Sequence, residues 1–175
     1  TTLFRSLATV SPPACAGVMC LSPAFQSILP FAFRDYLAMV GSFFFLRGRS
    51  RVSLPFDGPM LTRDDFFRNK LKHDPLEIRE VSVRFLANIF YQQCAVRRII
   101  KSVRVPVLFL VAGYDKLVNP KKTKEVYDRL LIEDKTFIHY PHMYHALSIE
   151  QDKETVFHDI CVWVSQHTPL SNDSK

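Results

Sequence analysis

The sequence predicts an α/β fold, a parallel sheet with flanking helices and a long helical insertion, on three observations. Two short runs, Ala16 to Leu21 and Val105 to Val111, are almost wholly apolar. That is the pattern of strands buried on both faces, which belong to parallel sheets. After the second run the pattern alternates strand, helix, strand, helix, as right-handed parallel crossovers require. The stretch between the two runs reads as helical and contains no convincing strand.

Taken in order, Leu3, Phe4, Leu7 and Val10 follow a helical spacing, and Ser11-Pro12-Pro13 stops that helix before the first apolar run. A helix is expected near Arg34 to Leu46, then a loop marked by Pro55, Gly58 and Pro59. Thr62 with Asp65 three residues on reads as the start of the next helix. Asp74 with Pro75 and Glu77 reads as the start of another, running through Val81, Phe85 and Ile89. The strand Val105 to Val111 leads through a loop containing Gly113 to a helix from Pro120 to about Leu131, capped by Asn119. Lys135 to Tyr140 forms the next strand. After a loop over Pro141 to Ala146, Thr155 to Val164 forms a last helix with Val156, Ile160, Trp163 and Val164 on one face. The tail Pro169 to Lys175 is polar and expected to fray.

The 175 residues are 47% hydrophobic and 23% charged, which suits one globular domain with a sizeable core. Phenylalanines fall in clusters, as at Phe31 and Phe33, Phe43 to Phe45, and Phe66 and Phe67, and suit either a bulky core or an apolar cleft. The net charge of +6 is dispersed, with its densest groups at Arg47, Arg49 and Arg51, at Arg97 and Arg98, and at Lys121, Lys122 and Lys124. No nucleic-acid motif accompanies them, so no nucleic-acid partner is expected. Contact with anionic lipid headgroups stays open where Arg47 to Arg51 adjoin Phe43 to Phe45. Cys15, Cys20, Cys94 and Cys161 lack paired spacing and read as reduced core thiols. No apolar run approaches the roughly 18 residues that cross a bilayer. A cytoplasmic protein, at most peripheral to membranes, is the expectation.

In open parallel sheets, active groups sit on loops past the carboxyl ends of strands. Asp115 follows one such strand and His145 the next, so a carboxylate and an imidazole are expected at the same sheet edge. The carboxylate would hold the ring in one tautomer and stabilise the imidazolium. Position alone leaves the plainer readings open, because loop Asp residues also cap helices and loop His residues are often idle. His139, His142 and His145 recur every third residue, but a strand-to-loop segment does not put that spacing on one face, and no nearby Asp, Glu or Cys completes a ligand set. No metal site is expected. Ser6, Ser11, Ser22 and Ser148 lack the glycine neighbours that a strained, exposed nucleophile turn needs.

The run Val105-Pro106-Val107-Leu108-Phe109-Leu110-Val111-Ala112-Gly113-Tyr114-Asp115-Lys116-Leu117-Val118-Asn119-Pro120 resembles the acid-bearing strand and loop of α/β-hydrolases. Tyr140-Pro141-His142-Met143-Tyr144-His145-Ala146-Leu147 with Glu150 resembles the base-bearing loop of monoacylglycerol lipases and related lysophospholipases. Phe157-His158-Asp159-Ile160 through Trp163-Val164-Ser165-Gln166 is similar to their last helix, and Asp74-Pro75-Leu76 to their cap. The chain order, acid then base, matches that superfamily.

This resemblance implies the C-terminal part of an α/β-hydrolase fold. Residues 1–26 would be a partial core, 27–103 a helical lid, 104–168 the core with the acid and base loops, and 169–175 a tail. It implies a serine hydrolase of fatty-acyl esters, monoacylglycerol or lysophospholipid, with Asp115 and His145 catalytic and no cofactor. The pentapeptide G-x-S-x-G is absent from the 175 residues. By the resemblance it lies a few residues before Thr1, and the oxyanion donors are expected outside the chain too, one at the residue after the serine and the other on an earlier loop. The isolated chain is therefore expected to be inactive, and self-associating along an unpaired apolar strand. His142 stands where relatives usually carry Gly, and would crowd the loop or contact substrate. Phe43, Phe44 and Phe45 would either pack the lid onto the core or line an acyl-chain tunnel. At least one must face a groove, a membrane or another chain, since three consecutive side chains cannot all point inward on a helix. Two alternatives stand beside this: a non-catalytic remnant binding an acyl ligand or a protein partner, and a carboxylesterase or peptidase on the same fold.

Overall fold

Val107–Ala112 is buried at all six positions and organises the fold. The structure, a computed structural model, describes residues 15–31, 33–45 and 49–168. In chain order these form β1 (Val18–Leu21), α1 (Phe33–Phe45), β2 (Arg51–Ser53), α2 (Gly58–Leu61), α3 (Asp65–His73), β3 (Glu80–Ser82), α4 (Val83–Ile99), β4 (Val107–Ala112), α5 (Pro120–Asp128), β5 (Lys135–Tyr140) and α6 (Lys153–His167). Short 3₁₀ turns lie at Ile100–Ser102 and Leu147–Ile149. The expected helix over Leu3 to Val10, its stop at Ser11-Pro12-Pro13 and the polar tail fall outside the described residues, as does Arg47.

β1, β4 and β5 form a parallel sheet in the order β1-β4-β5. Period-two alternation divides β4 between two cores. Val107, Phe109 and Val111 pack with Val96, Ile100, Val126 and Leu130 on one face, under α4 and α5. Leu108, Leu110 and Ala112 pack with Met143, Leu147, Val156 and Trp163 on the other, under α6. Each large side chain so buried contributes about 1.5–3 kcal/mol, which is why an uninterrupted apolar run is the right sequence for this strand. The expectation of two covered faces holds less well for β1. Val18 is buried, but Met19 and Leu21 are exposed, and β4 is its one hydrogen-bonded neighbour among the described strands. Ser22 then leaves the sheet with φ 41°, a left-handed conformation unusual for a residue with a Cβ, while its N–H donates to the Leu110 carbonyl at 2.8 Å.

Between β1 and β4 the structure departs from the sequence reading in four places. β2 and β3 form an antiparallel ribbon, Arg51 opposite Ser82 and Ser53 opposite Glu80, where no strand was expected. Three-residue strands are too short to show a period. Gly58-Pro59 opens the helical turn α2 rather than a loop. The cap of α3 is Asp64, whose Oδ1 accepts from the Phe67 N–H at 3.2 Å, two residues later than Thr62. Asp74 ends α3 instead of starting a helix, and its Oδ1 accepts from the Leu76 N–H at 2.8 Å. Asp-Pro suits either role, because proline pushes the preceding residue to extended backbone and an Asp side chain makes the same short-range bond in a turn. The helix it was expected to open begins at Val83, where the Ser82 Oγ accepts from the Phe85 N–H at 3.2 Å.

The C-terminal elements fall where the sequence puts them. Asn119 caps α5 through Lys121 and Lys122 N–H groups, and Val156 and Trp163 are the buried face of α6 with Ile160 and Val164 packed beside them. The cysteines are not the core residues they were expected to be. Cys15, Cys94 and Cys161 are exposed and Cys20 half-buried, all four as free thiols, because Cys94 and Cys161 sit on outward positions of α4 and α6. Among the described residues no helix is long and apolar enough to cross a membrane.

Candidate active site

β4 and β5 run in register to their ends, Ala112 opposite Tyr140, so the loops that follow start at the same height. Gly113 makes their close approach possible. Its N–H donates to the Tyr140 carbonyl at 2.8 Å, and a Cβ there would stand 2.6–2.9 Å from backbone atoms of Pro141. The Tyr114 N–H then donates to the Met143 carbonyl at 3.0 Å, stitching the two loops together one step further on. Below them, the Tyr140 hydroxyl donates to Asp159 Oδ2 at 2.7 Å and ties the end of β5 to α6. Burial, with Asp159 beside it, pushes the Tyr140 phenol well above its usual range, so it stays a neutral donor.

Asp115 Oδ1 accepts from the Leu117 and Val118 N–H groups at 2.8 and 2.9 Å. Those two bonds aim its other oxygen, and Oδ2 lies 2.8 Å from Nδ1 of His145. The Asp115 side chain is 3% exposed and that of His145 25%. A carboxylate is an acceptor only, so Nδ1 carries the proton in this pair and Nε2 presents its lone pair. The geometry therefore offers a base at Nε2, backed by a carboxylate that stabilises the ring once protonated.

The other residues singled out in the sequence are not brought to this pair. His142 is exposed on the same loop. Phe43, Phe44 and Phe45 end α1 and are 49%, 74% and 88% exposed, so the reading that they pack the lid onto the core does not hold. The buried residue of α1 is Ser42, whose hydroxyl meets that of Ser50. Among the described residues no three His, Cys, Asp or Glu side chains group as metal ligands. A solvent-open cleft of about 830 Å³ lies away from the pair, lined by charges of both signs including Asp57, Asp65, Arg68, Lys72 and Arg79. Such a lining does not suit an acyl chain. Sequence reasoning missed an aromatic pair on these two loops: Tyr114 and Tyr144, with ring centroids 6.5 Å apart and the Lys116 ammonium 4.4 Å from the Tyr144 ring. Each flanks Asp115 or His145 in sequence, the one signal that could have found them.

The family model described as Serine aminopeptidase, S33, matches residues 2–152. Human monoglyceride lipase is 32% identical over 117 residues, which cover 65% of this chain and 39% of that protein. The crystal structure of Paleococcus ferrophilus monoacylglycerol lipase superposes with a TM-score of 0.82 at 24% identity, over 95% of this chain and 65% of that one. A soluble variant of Saccharomyces cerevisiae monoglyceride lipase, solved with a substrate analogue, gives 0.80 at 20% identity, over 95% and 58%. The chain thus spans well under half the length of its curated human relative and about three fifths of the two solved ones. With this sheet and these relatives, the chain belongs to the Serine aminopeptidase, S33, family of α/β-hydrolases and is monoacylglycerol-lipase-like.

Proposed function

We propose that the protein is a serine hydrolase of fatty-acyl esters, with monoacylglycerol or a lysophospholipid as substrate class, and that Asp115 and His145 are its catalytic acid and base. The observation that carries this reading is the 2.8 Å bond between Asp115 Oδ2 and His145 Nδ1, with Asp115 held by two backbone N–H groups. A serine outside these 175 residues attacks the ester carbonyl and passes its proton to His145 Nε2. His145 returns that proton to the alcohol as the C–O bond breaks, then takes a proton from the water that attacks the acyl-enzyme and gives it to the serine oxygen as the fatty acid leaves. The cycle balances without a cofactor. Residues 27–103 serve as a lid, with Phe43, Phe44 and Phe45 meeting the acyl chain or the lipid surface it comes from. The exposed Arg49 and Arg51 face anionic headgroups there.

In the whole protein, His145→Ala and Asp115→Asn are each expected to lower turnover of a monoacylglycerol by about 10⁴-fold, with little change in unfolding midpoint. His142→Ala is expected to cost far less. An essential His142 with a dispensable His145 would overturn the assignment. The family's description favours a second reading, a peptidase on the same pair. Equal or faster cleavage of an aminoacyl amide than of the ester would establish it. The 175-residue chain alone, lacking the G-x-S-x-G serine, is expected to hydrolyse nothing above buffer and to be insoluble or self-associated. Ester hydrolysis by a soluble 175-residue monomer, abolished by His145→Ala, would overturn both expectations and place the nucleophile within residues 1–175.

A further inference from the structure

Glu150 is a carboxylate with 0% exposure, and no step of the proposed reaction uses it. Its Oε1 accepts from the Arg63 N–H at 2.8 Å and the Tyr144 N–H at 3.4 Å. Its Oε2 accepts from Arg63 Nε at 2.9 Å and the Gln151 N–H at 3.3 Å. Arg63 reaches further, donating from Nη2 to Asp152 Oδ2 at 2.8 Å. Next to it Thr62, also 0% exposed, donates from Oγ1 to the Ile149 carbonyl at 2.9 Å. The Leu61 carbonyl accepts from the Ala146 N–H at 2.8 Å. Three successive residues from the segment between β1 and β4 thus hold the chain after His145, at Ala146, Ile149 and Glu150, and Glu150 in turn holds Tyr144 just before it.

A buried ion pair is an indifferent way to gain stability, since well-packed apolar side chains serve as well or better. What it supplies is geometry: four donors converge on two oxygens only when both stretches of backbone are in place. Asp115 sets the imidazole tautomer, but it does not touch the backbone that carries the ring.

We propose that Leu61, Thr62 and Arg63 with Glu150 form a clamp that sets the His145 loop, Arg63 and Glu150 being positioning residues for the base. The inference rests on the reading of His145 as general base. Through this clamp, the segment that would meet substrate is mechanically joined to the group that moves the proton.

The test is Glu150→Gln in the whole protein. The amide keeps the shape and one acceptor, but sets its NH₂ against Arg63 Nε and the Gln151 N–H. A displaced base weakens the transition state more than substrate binding, so kcat is expected to fall about tenfold to a hundredfold with KM within about twofold. The ring ¹⁵N shifts of His145 are expected to move from the Nδ1–H form toward a tautomer mixture. Arg63→Lys, which keeps the charge and loses the fork, falls between Glu150→Gln and the wild type. Thr62→Val loosens the clamp without touching a charge and decides the matter if Glu150→Gln fails to fold. It too is expected to shift the ring signals and lower kcat, by less. Wild-type kcat and unchanged ring shifts in the folded variants would overturn the proposal. If the wild type cleaves no ester but the ring shifts still move, the clamp stands and the hydrolase reading falls.

Discussion

β4 and α1 are both rich in large apolar side chains, and the structure uses them in opposite ways. β4 hides all six residues between two helical layers. α1 has one buried residue, a serine, and leaves Phe33, Leu37, Val40 and three consecutive phenylalanines exposed. One element is covered by its neighbours, and the other leaves most of its apolar surface exposed. The same apolar composition therefore serves the scaffold in residues 104–168 and, on the proposed reading, a lipid in residues 27–103.

The contrast breaks most visibly under truncation. Phe109→Ala is expected to destabilise the protein by about 3–5 kcal/mol in denaturant unfolding, because the cavity lies in a fully packed layer. Phe45→Ser is expected to stay within about 0.5 kcal/mol of the wild type. If the two cost the same, α1 is part of the core after all. Gly113→Ala comes next. Its methyl meets Pro141 backbone rather than a yielding side chain, so a cost of about 1–3 kcal/mol is expected together with reduced turnover, measured on the same preparation. A third comparison pits Phe44→Ser against long- and short-chain esters. If α1 meets acyl chains, KM for a long-chain monoacylglycerol rises about fivefold, the equivalent of about 1 kcal/mol of lost apolar contact, while that for an acetyl ester does not. No difference would remove α1 from substrate binding.

The smallest effect is electrostatic. His167 donates at the end of α6 to the Trp163 carbonyl at 2.7 Å and faces Asp134 at 3.1 Å. The Trp163 carbonyl first, and then Asp134, raise it above its ordinary 6.5. Its protonated form therefore adds stability that is fully present below that ordinary value and lost as pH rises through the raised one. Asp134 is more than half exposed, so solvent screens the pair to a few tenths of a kcal/mol. Thermal midpoints of wild type and Asp134→Asn are expected to differ slightly in acid and converge in alkali. A gap that widened with pH would reverse the sign.

The parts legible in the sequence are those whose signal is local. An all-apolar run announced β4, Asn119-Pro120 announced α5, and two strands each followed by one titratable residue placed Asp115 and His145 at one edge. The parts that were not legible depend on distant partners. β2 and β3 are each three residues with one apolar position, and become strands only on meeting across 26 intervening residues. Asp74 satisfies the chemistry of a helix start and of a turn alike. The bond from Arg63 to Glu150 joins residues 87 positions apart, and nothing around Arg63 marks it as different from any exposed arginine. Thr62 was noticed, but as a cap, because its hydroxyl serves both the local Asp64 N–H and the distant Ile149 carbonyl.

The matched ends of β4 and β5 also divide this stretch of chain into parts that tolerate length change and parts that do not. An extra residue inside either strand would turn every later side chain to the opposite face and carry one loop about 3.3 Å past the other. Asp115 and His145 would then no longer meet. An insertion in the turn after Leu130, where Leu131 and Glu133 are exposed, leaves the buried face of α5 in place and changes only how far the chain travels before it returns to the same rung. A tag or reporter an experimenter wishes to insert in this stretch belongs in that turn.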